Sequence, residues 1–391
     1  MIGISKLLID KTEPSDTIRY GRSQGHGSVP ADSNRPIVVY NCVRNCNLRC
    51  VHCYAHASGS EPADTLDTRQ ALAMIDSCAD FGCPVMLFSG GEPLLRKDLP
   101  ELMNHARSRK MRTALSTNGT LITQELASEL KSCDLSYVGI SLDGIEPTHD
   151  KFRGVDGAWC KALRGLDICR EVGLRTGLRI TLTKRNYDEI EQMLSLFESR
   201  NIERICFYHL VYTGLGSNLI DEDLSHEQTR KVLDIIIERT LRMHENGNGR
   251  EILTVDNHAD GPYLWLWAKR NRPELADRIY NMIKDNRAKS TGQGISCISW
   301  NGDVMPDQFW RDKILGNIKE QSFESIWLNP DNPFLENIRK REKLVKGKCS
   351  RCSFLHLCRG GFRARAEAKF NDLWAEDPAC YLTESEIEGN F

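Results

Sequence analysis

The sequence predicts an α/β fold in which a partial (β/α)6 barrel of the TIM type precedes a smaller C-terminal extension. From residue 36 onward, short apolar runs alternate with amphipathic stretches, and six consecutive βα units imply a parallel sheet with right-handed crossovers. Polar and glycine-rich patches follow three of these runs, where a parallel barrel builds its active site. Cysteines gather in one early and one late group, which predicts metal or redox chemistry in both parts of the chain.

Each predicted strand is a short apolar run, as expected for strands that helices cover on a parallel sheet. These runs are 37–42, 84–88, 112–115, 136–140, 175–182 and 204–209. The amphipathic segments between them are predicted as helices 68–81, 99–109, 123–131, 159–172 and 187–199. We divide the chain into an N-terminal extension (1–35), the barrel (36–215), a helical connecting region (216–294) and an auxiliary domain (295–391).

The composition excludes several classes of partner. The chain has 391 residues, and its 52 basic and 54 acidic residues give a formal net charge of −2, so we expect neither nucleic acid nor membrane as a partner. No apolar run approaches the roughly 18 residues of a membrane span, and the first residues are too soon interrupted by charge to form a signal peptide. A cytoplasmic location is therefore expected. Thiols stay reduced there, so the 15 cysteines predict metal or redox chemistry rather than disulfides.

The early cysteines, Cys46, Cys50 and Cys53, follow the first predicted strand with the spacing C-x3-C-x2-C. Three neighbouring thiolates indicate a metal site. A 4Fe–4S cluster normally takes four cysteines, so three would leave one iron open for a further ligand. Zinc with a distant fourth ligand, or simply buried thiols, are the alternatives.

Three polar patches, 89–93, 116–119 and 141–144, directly follow the second, third and fourth predicted strands. Each alone is typical of an ordinary turn, because Asn-Gly and Asp-Gly pairs are common in turns. Their occurrence after three successive strands, downstream of the cysteine loop, instead predicts one shared site at the carboxyl ends of the strands.

The cysteine spacing, together with Gly90-Gly91-Glu92-Pro93, resembles the radical S-adenosylmethionine (SAM) enzymes. The resemblance implies that Cys46, Cys50 and Cys53 bind a catalytic 4Fe–4S cluster, whose open iron chelates SAM and whose electron releases a 5'-deoxyadenosyl radical. It implies that the Glu92 carboxylate binds the ammonium group of SAM. It also implies that the Arg179 guanidinium binds the carboxylate of SAM. The full set of implied SAM contacts is His52, Tyr54, Gly90, Gly91, Glu92, Ser116, Asn118, Ser141, Asp143 and Arg179.

The late cysteines, Cys349, Cys352, Cys358 and Cys380, resemble an auxiliary-cluster motif of the SPASM and twitch extensions of these enzymes. The resemblance implies a second 4Fe–4S cluster bound by all four, which points to electron transfer or scaffolding. A zinc ribbon or knuckle is the alternative. The chain departs from the full SPASM pattern, because Asp307 and Phe362 stand where cysteines are expected. The role of Cys297 is left open.

A narrower resemblance rests on four segments taken together: residues 1–7, 13–16, 19–22 and 50–55. These segments look like the 12,18-didecarboxysiroheme deacetylases of the siroheme-dependent heme pathway. That family removes two acetate side chains from an iron tetrapyrrole and yields Fe-coproporphyrin III, with electrons expected from an external donor such as ferredoxin or flavodoxin. Candidate contacts with the tetrapyrrole are Arg19, Arg22, His209, Tyr212, Asp256 and His258.

Other functions compete with this one. Within the enzymes, the alternatives are the related heme d1 reaction on propionates of the same substrate and a SPASM peptide maturase. From other classes, an iron–sulfur electron carrier and a zinc-stabilised binding protein are considered. Neither has a need for the polar patches that follow the strands.

Overall fold

The computed structural model of the protein describes residues 1–9, 16, 35–57, 59–286, 288 and 290–389. Within these ranges the strands form one eleven-stranded sheet, ordered β1-β8-β7-β6-β5-β4-β3-β2-β9-β10-β11. The strands are β1 (Ile2–Gly3), β2 (Ile37–Val43), β3 (Val85–Gly90), β4 (Arg112–Thr117), β5 (Val138–Ser141), β6 (Thr176–Leu182), β7 (Arg204–His209), β8 (Glu251–Val255), β9 (Ile295–Ile298), β10 (Asp303–Met305) and β11 (Gly316–Asn317).

The central part of the sheet is the predicted barrel. Strands β2 to β8 are parallel and lie in chain order, which is the arrangement that repeated βα units produce. The sheet curls without closing, because β1 lies antiparallel on β8 and β9 lies parallel on β2. The six predicted strands are confirmed as β2 to β7. The five others are short strands or lie outside the repeating units, and the sequence pattern did not predict them.

Helices cover the sheet and connect its strands. They are α1 (Ile4–Ile9), α2 (Thr68–Phe81), α3 (Leu99–Ser108), α4 (Gln124–Ser132), α5 (Glu146–Arg153), α6 (Ala158–Glu171), α7 (Ile190–Ser199), α8 (His226–Glu245), α9 (Asp260–Asn271), α10 (Pro273–Asn286), α11 (Phe323–Trp327), α12 (Pro333–Arg339), α13 (Leu355–Cys358), α14 (Arg363–Phe370) and α15 (Glu384–Ile387). The five predicted connecting helices correspond to α2, α3, α4, α6 and α7. The prediction omitted α5, a short helix between β5 and α6.

The local signals in the sequence explain where the helices begin and end. Asp67 caps α2 through a reciprocal pair of hydrogen bonds with Gln70, and Gly82 ends the helix in the left-handed region at φ 86°. The buried face of α2 includes Met74 and Ile75, which pack into the main core. This pattern of one apolar face per helix places the core between the sheet and its helices.

The C-terminal region packs directly on the barrel. Strand β9 extends the sheet at β2, and Phe323 of α11 lies 5.7 Å, ring centroid to ring centroid, from Phe81 of α2. The main hydrophobic core runs from Ile2 to Ile387 without a break at the predicted domain limits. The four-part division of the chain therefore stays a prediction. Among the described residues, no helix is long and apolar enough to cross a membrane.

Candidate active site

A cleft at the carboxyl ends of the parallel strands gathers most of the predicted site. Its empty volume is about 1100 Å³ and opens to solvent. The predicted residues that line it are Cys46, Cys50, His52, Cys53, Tyr54, Gly90, Gly91, Ser116, Asn118, Ser141 and Arg179. Parallel strands bring residues distant in sequence to a common edge, so the three polar patches and the cysteine loop meet there.

Backbone and side-chain N–H groups surround the three cysteine sulfurs of the cleft. The amide of Leu48 donates to Cys46 Sγ at 3.4 Å, and the amide of Ala57 donates to Cys53 Sγ at 3.4 Å. Burial raises the pKa of Cys46 to about 12, so this residue is a thiol until a metal binds it. N–H donors around a cluster stabilise its charged sulfurs, so this loop fits an iron–sulfur cluster.

Helix α5 holds the cysteine loop in place, and the sequence analysis missed it. The carbonyl of Arg153 accepts a hydrogen bond from the backbone amide of Arg49 at 2.9 Å. The carbonyl of Phe152 accepts one from the backbone amide of Val51 at 3.0 Å. The Arg153 guanidinium donates to Cys50 Sγ at 3.4 Å. Gly154, which ends α5 at φ 68°, is the sequence signal that could have revealed this helix.

The two glycines of the first polar patch accommodate the backbone of the cysteine loop. A Cβ on Gly91 would lie 2.0 Å from the carbonyl oxygen of Asn45, and a Cβ on Gly90 would lie 2.4 Å from that of Val43. Real Cβ atoms do not approach so closely, so these positions require glycine whether or not a ligand is bound. Both glycines also face the cleft.

The two predicted carboxylates, Glu92 and Asp143, are fully buried and do not line the cleft. Glu92 accepts hydrogen bonds from Thr117 Oγ1 at 2.7 Å and from the amide of Asn118 at 2.8 Å. Asp143 is ion-paired with Arg153 and accepts the amide of Thr181 at 2.6 Å. Their predicted contacts with SAM stay predictions. The structure gives both carboxylates a positioning task behind the wall of the cleft.

The aromatic positions beside the third cysteine are fixed by packing. The His52 ring lies 4.4 Å from the Phe152 ring, and its Nδ1 has no hydrogen-bond partner among the described residues. Burial lowers the pKa of His52 to about 4, so the ring is neutral. The Tyr54 hydroxyl donates to Asn41 Oδ1 at 2.9 Å. A neutral ring that lines the cleft fits a planar heteroaromatic ligand.

Arg179 reaches the cleft from β6 and lies over the Tyr208 ring at 4.6 Å. No described carboxylate forms an ion pair with it. Nearby tyrosine and cysteine groups raise its pKa against the effect of burial, so it stays charged. A half-buried guanidinium that lines the cleft and forms no ion pair with a described carboxylate fits an anionic ligand group.

A second cavity, about 380 Å³ in empty volume, is lined by all four late cysteines, Cys349, Cys352, Cys358 and Cys380. Four thiols around one cavity match the four cysteines that a 4Fe–4S cluster normally takes.

Asp307 and Phe362, which stand where the SPASM pattern has cysteines, lie outside the linings of both cavities, and so does Cys297. Asp307 is buried. Its carboxylate accepts hydrogen bonds from the backbone amide of Phe309 at 2.8 Å and from the hydroxyl of Thr291 at 2.5 Å. Burial raises the pKa of Asp307 to about 7. Cys297 is buried on β9 and accepts a hydrogen bond from Asn41 Nδ2 at 3.3 Å. Neither residue lines the cavity of the late cysteines.

Two of the six candidate tetrapyrrole contacts, His209 and Asp256, line the cleft. Tyr212 and His258 are buried outside its lining, and Tyr212 donates its hydroxyl to Asp223 at 2.6 Å. Arg19 and Arg22 lie outside the described residues. Ser89 and Thr117 line the cleft as members of the predicted polar patches, whereas the sequence analysis missed two further polar residues of the lining, Thr181 and Gln308.

Two family models match the chain. The model of the radical SAM superfamily matches residues 40–197, and the model of the SPASM iron–sulfur cluster-binding domain matches residues 290–353. The first range contains the cysteine loop and four of the cleft-lining strands. The second contains the first two late cysteines. The chain is a radical SAM enzyme and belongs to that superfamily.

Within the superfamily the chain is similar to enzymes of heme synthesis. It is 50% identical to Fe-coproporphyrin III synthase of Methanosarcina barkeri, with 99% of each chain covered. It is 39% identical to pre-heme d1 synthase of Dinoroseobacter shibae, over 90% of this chain and 87% of that one. The solved structure of native anSMEcpe with bound AdoMet shares the fold, with a TM-score of 0.69 and 20% identity over 91% of this chain and 96% of that one.

Proposed function

We propose that the protein removes two acetate side chains from 12,18-didecarboxysiroheme and yields Fe-coproporphyrin III, as a radical SAM enzyme of heme biosynthesis. The observation that carries this proposal is its identity to Fe-coproporphyrin III synthase, which extends over nearly all of both chains. The cleft supports it, because the cysteine loop and the polar strand ends face one space that is large enough for a ligand beside the cysteines.

We assign two 4Fe–4S clusters and SAM as cofactors. Cys46, Cys50 and Cys53 would hold the first cluster, which when bound supplies the electron that converts SAM to a 5'-deoxyadenosyl radical. Arg179 would pair with the SAM carboxylate, because a guanidinium binds a carboxylate through two parallel hydrogen bonds. The neutral His52 ring would lie against the adenine. Glu92 positions Asn118 through its backbone amide.

The second cluster would be held by Cys349, Cys352, Cys358 and Cys380. Four protein ligands leave no iron open to substrate, which supports a task in electron transfer or in scaffolding. We assign a ferredoxin or flavodoxin as the external donor. We place the enzyme in the cytoplasm, where its many thiols stay reduced.

The cleft also suits an iron tetrapyrrole, a flat apolar ring that carries several carboxylates. His209 and Gln308 offer polar contacts, and Leu87, Val211 and Phe309 give the same cleft an apolar wall.

Mass spectrometry of an anaerobic reaction tests the proposed function. Reconstituted protein, SAM, a strong reductant and 12,18-didecarboxysiroheme should give stepwise loss of two acetate groups with SAM-dependent 5'-deoxyadenosine. A reaction at the propionate side chains instead would assign the heme d1 reaction, which the identity to pre-heme d1 synthase makes the second candidate. Formation of 5'-deoxyadenosine with an unchanged tetrapyrrole would reject both substrate assignments.

A further inference from the structure

Among the described residues, Asp256 is the only carboxylate that lines the cleft. It directly follows β8, at the opposite end of the parallel run from the cysteine loop that follows β2. The residue is buried, with 8% of its surface exposed. A ligand placed between the cysteine loop and β8 would therefore meet the Asp256 carboxylate in the wall of the cleft.

The backbone at Asp256 adopts a conformation that aspartate seldom takes. Its φ of 67° lies in the left-handed region, which non-glycine residues seldom adopt. The next residue, Asn257, fixes the segment, because its Nδ2 donates to the carbonyl of Ala379 at 2.9 Å and its Oδ1 accepts the amide of Ala259 at 3.0 Å. Strain that neighbouring contacts maintain is found most often at functional sites.

Asp256 and Asn257 also form the wall between the two cavities. Asp256 lines the cleft, whereas Asn257 lines the cavity of the late cysteines. Two adjacent residues thus line the proposed substrate cleft and the cavity of the proposed auxiliary cluster. A proton source and an electron source would therefore reach the substrate from the same side.

Several charges face Asp256 from the elements around it. Arg179 on β6, His209 on β7, Arg365 on α14 and the amino group of Met1 lower its pKa, and burial raises the pKa more strongly, to about 6. Tyr208 and Asp307 are further titratable groups that interact with it. A fraction of the protein thus carries a protonated Asp256 near neutral pH.

Removal of an acetate side chain creates a need for such an acid. The bond between the ring carbon and the CH2 of the acetate breaks, and the departing carbon must gain a hydrogen to leave as acetate. After a hydrogen atom has been taken from the substrate, homolysis of this bond restores a double bond in the ring and releases a CH2–COO⁻ radical. One electron and one proton convert that radical to CH3–COO⁻.

We propose that Asp256 is the catalytic acid of this step and donates the proton, while a one-electron iron–sulfur reductant on the same wall supplies the electron. The carboxylate that remains regains its proton from solvent, to which the cleft is open. This inference rests on the proposed function, because it concerns the fate of the acetate group that the reaction removes.

The test follows the acetate that is released in deuterium oxide. With the wild-type enzyme, 12,18-didecarboxysiroheme, SAM and a chemical reductant, each acetate should carry one deuterium from solvent. The Asp256→Asn variant should bind the tetrapyrrole within about twofold of wild type and still form 5'-deoxyadenosine, but release acetate about 10²-fold more slowly or worse. Asp256→Glu, which keeps an acid, should recover part of the rate. Asp277→Asn, an exposed aspartate of α10, is the matched control and should behave as wild type.

Each other outcome has a definite meaning. Acetate without solvent deuterium from the wild type would overturn the proposal, because the hydrogen would then return from 5'-deoxyadenosine. Acetate release at the wild-type rate by Asp256→Asn would also overturn it, and loss of tetrapyrrole binding in that variant would assign Asp256 to binding instead. If Asp256→Asn does not fold, acetate without solvent deuterium from the wild type still overturns the proposal, and the rate of the Asp256→Glu variant tests the residue. A wild-type reaction that releases no acetate at all would reject the proposed function itself.

Discussion

At the scale of single residues, the site depends on close contacts that leave no room for substitution. Gly91 shows this most clearly, because its Cα faces the carbonyl oxygens of Arg44 and Asn45 immediately before Cys46. The glycine was predicted as a SAM neighbour. The structure shows in addition that it determines where the cysteine loop can lie.

Gly91→Ala should displace the cysteine loop and lose about half of the bound iron, because the four late cysteines would keep their own cluster. The added Cβ would lie 2.0 Å from Asn45 O and 2.6 Å from Arg44 O, so the loop must move. Iron and sulfide analysis after anaerobic reconstitution measures the effect. Gly59→Ala is the matched control, since a Cβ there meets nothing within 4 Å. Full iron content in Gly91→Ala would show that the loop tolerates the shift.

At the scale of elements, α5 connects the cysteine loop to the β5 edge. Arg153 at its end pairs with Asp143 and donates to Cys50, and His149 in its middle accepts the amide of Asp143 through Nδ1 at 3.0 Å. That hydrogen bond requires an unprotonated Nδ1. Breaking the Arg153–Asp143 pair would leave a buried charge without a partner, so the helix and the loop form one structural unit.

The buried histidine of α5 should make stability fall in weak acid. Burial lowers the pKa of His149 to about 4, whereas an unfolded histidine takes up a proton near pH 6.5. The stabilisation is therefore complete above pH 6.5 and is lost as the pH falls toward 4, by about 2 kcal/mol at pH 5 from this residue. Urea unfolding of the iron-loaded protein at pH 7 and pH 5, followed by circular dichroism, measures the difference.

His149→Gln should reduce this loss of stability by about 2 kcal/mol, because glutamine does not titrate. His226→Gln, at the exposed start of α8, serves as the control for an ordinary histidine substitution. An unchanged difference between pH 7 and pH 5 in His149→Gln would show that other groups cause the acid sensitivity.

At the scale of the whole molecule, the barrel and the C-terminal region share one sheet and one core. Residues Ile37 to Tyr40 of β2 pair with Ile295 to Ile298 of β9, and Val39 packs with Cys297 and Met305. The two cavities meet at Asp256 and Asn257. The active cleft is thus completed by parts of the chain that the predicted domain limits would separate.

A chain that ends at residue 286 should aggregate instead of folding as a free barrel. The truncation exposes the edge of β2 and the apolar side chains beneath it, and an unpaired apolar strand edge favours association between chains. The soluble fraction and the elution volume in gel filtration, compared with the full-length chain, measure the effect. A soluble monomer with cooperative unfolding would instead support an independent barrel domain.

The sequence by itself determined the repeating βα units, the two cysteine groups and the polar strand ends, because each is written in local periodicity and spacing. Only the tertiary structure decided which polar groups face the cleft. Glu92 and Asp143 are buried and do not line the cleft. Asp256, which follows a strand outside the six predicted units, does line it. The reason is physical: a strand's carboxyl end brings several polar residues to the same edge, and the packing of neighbouring elements decides which of them meet a ligand and which meet the backbone.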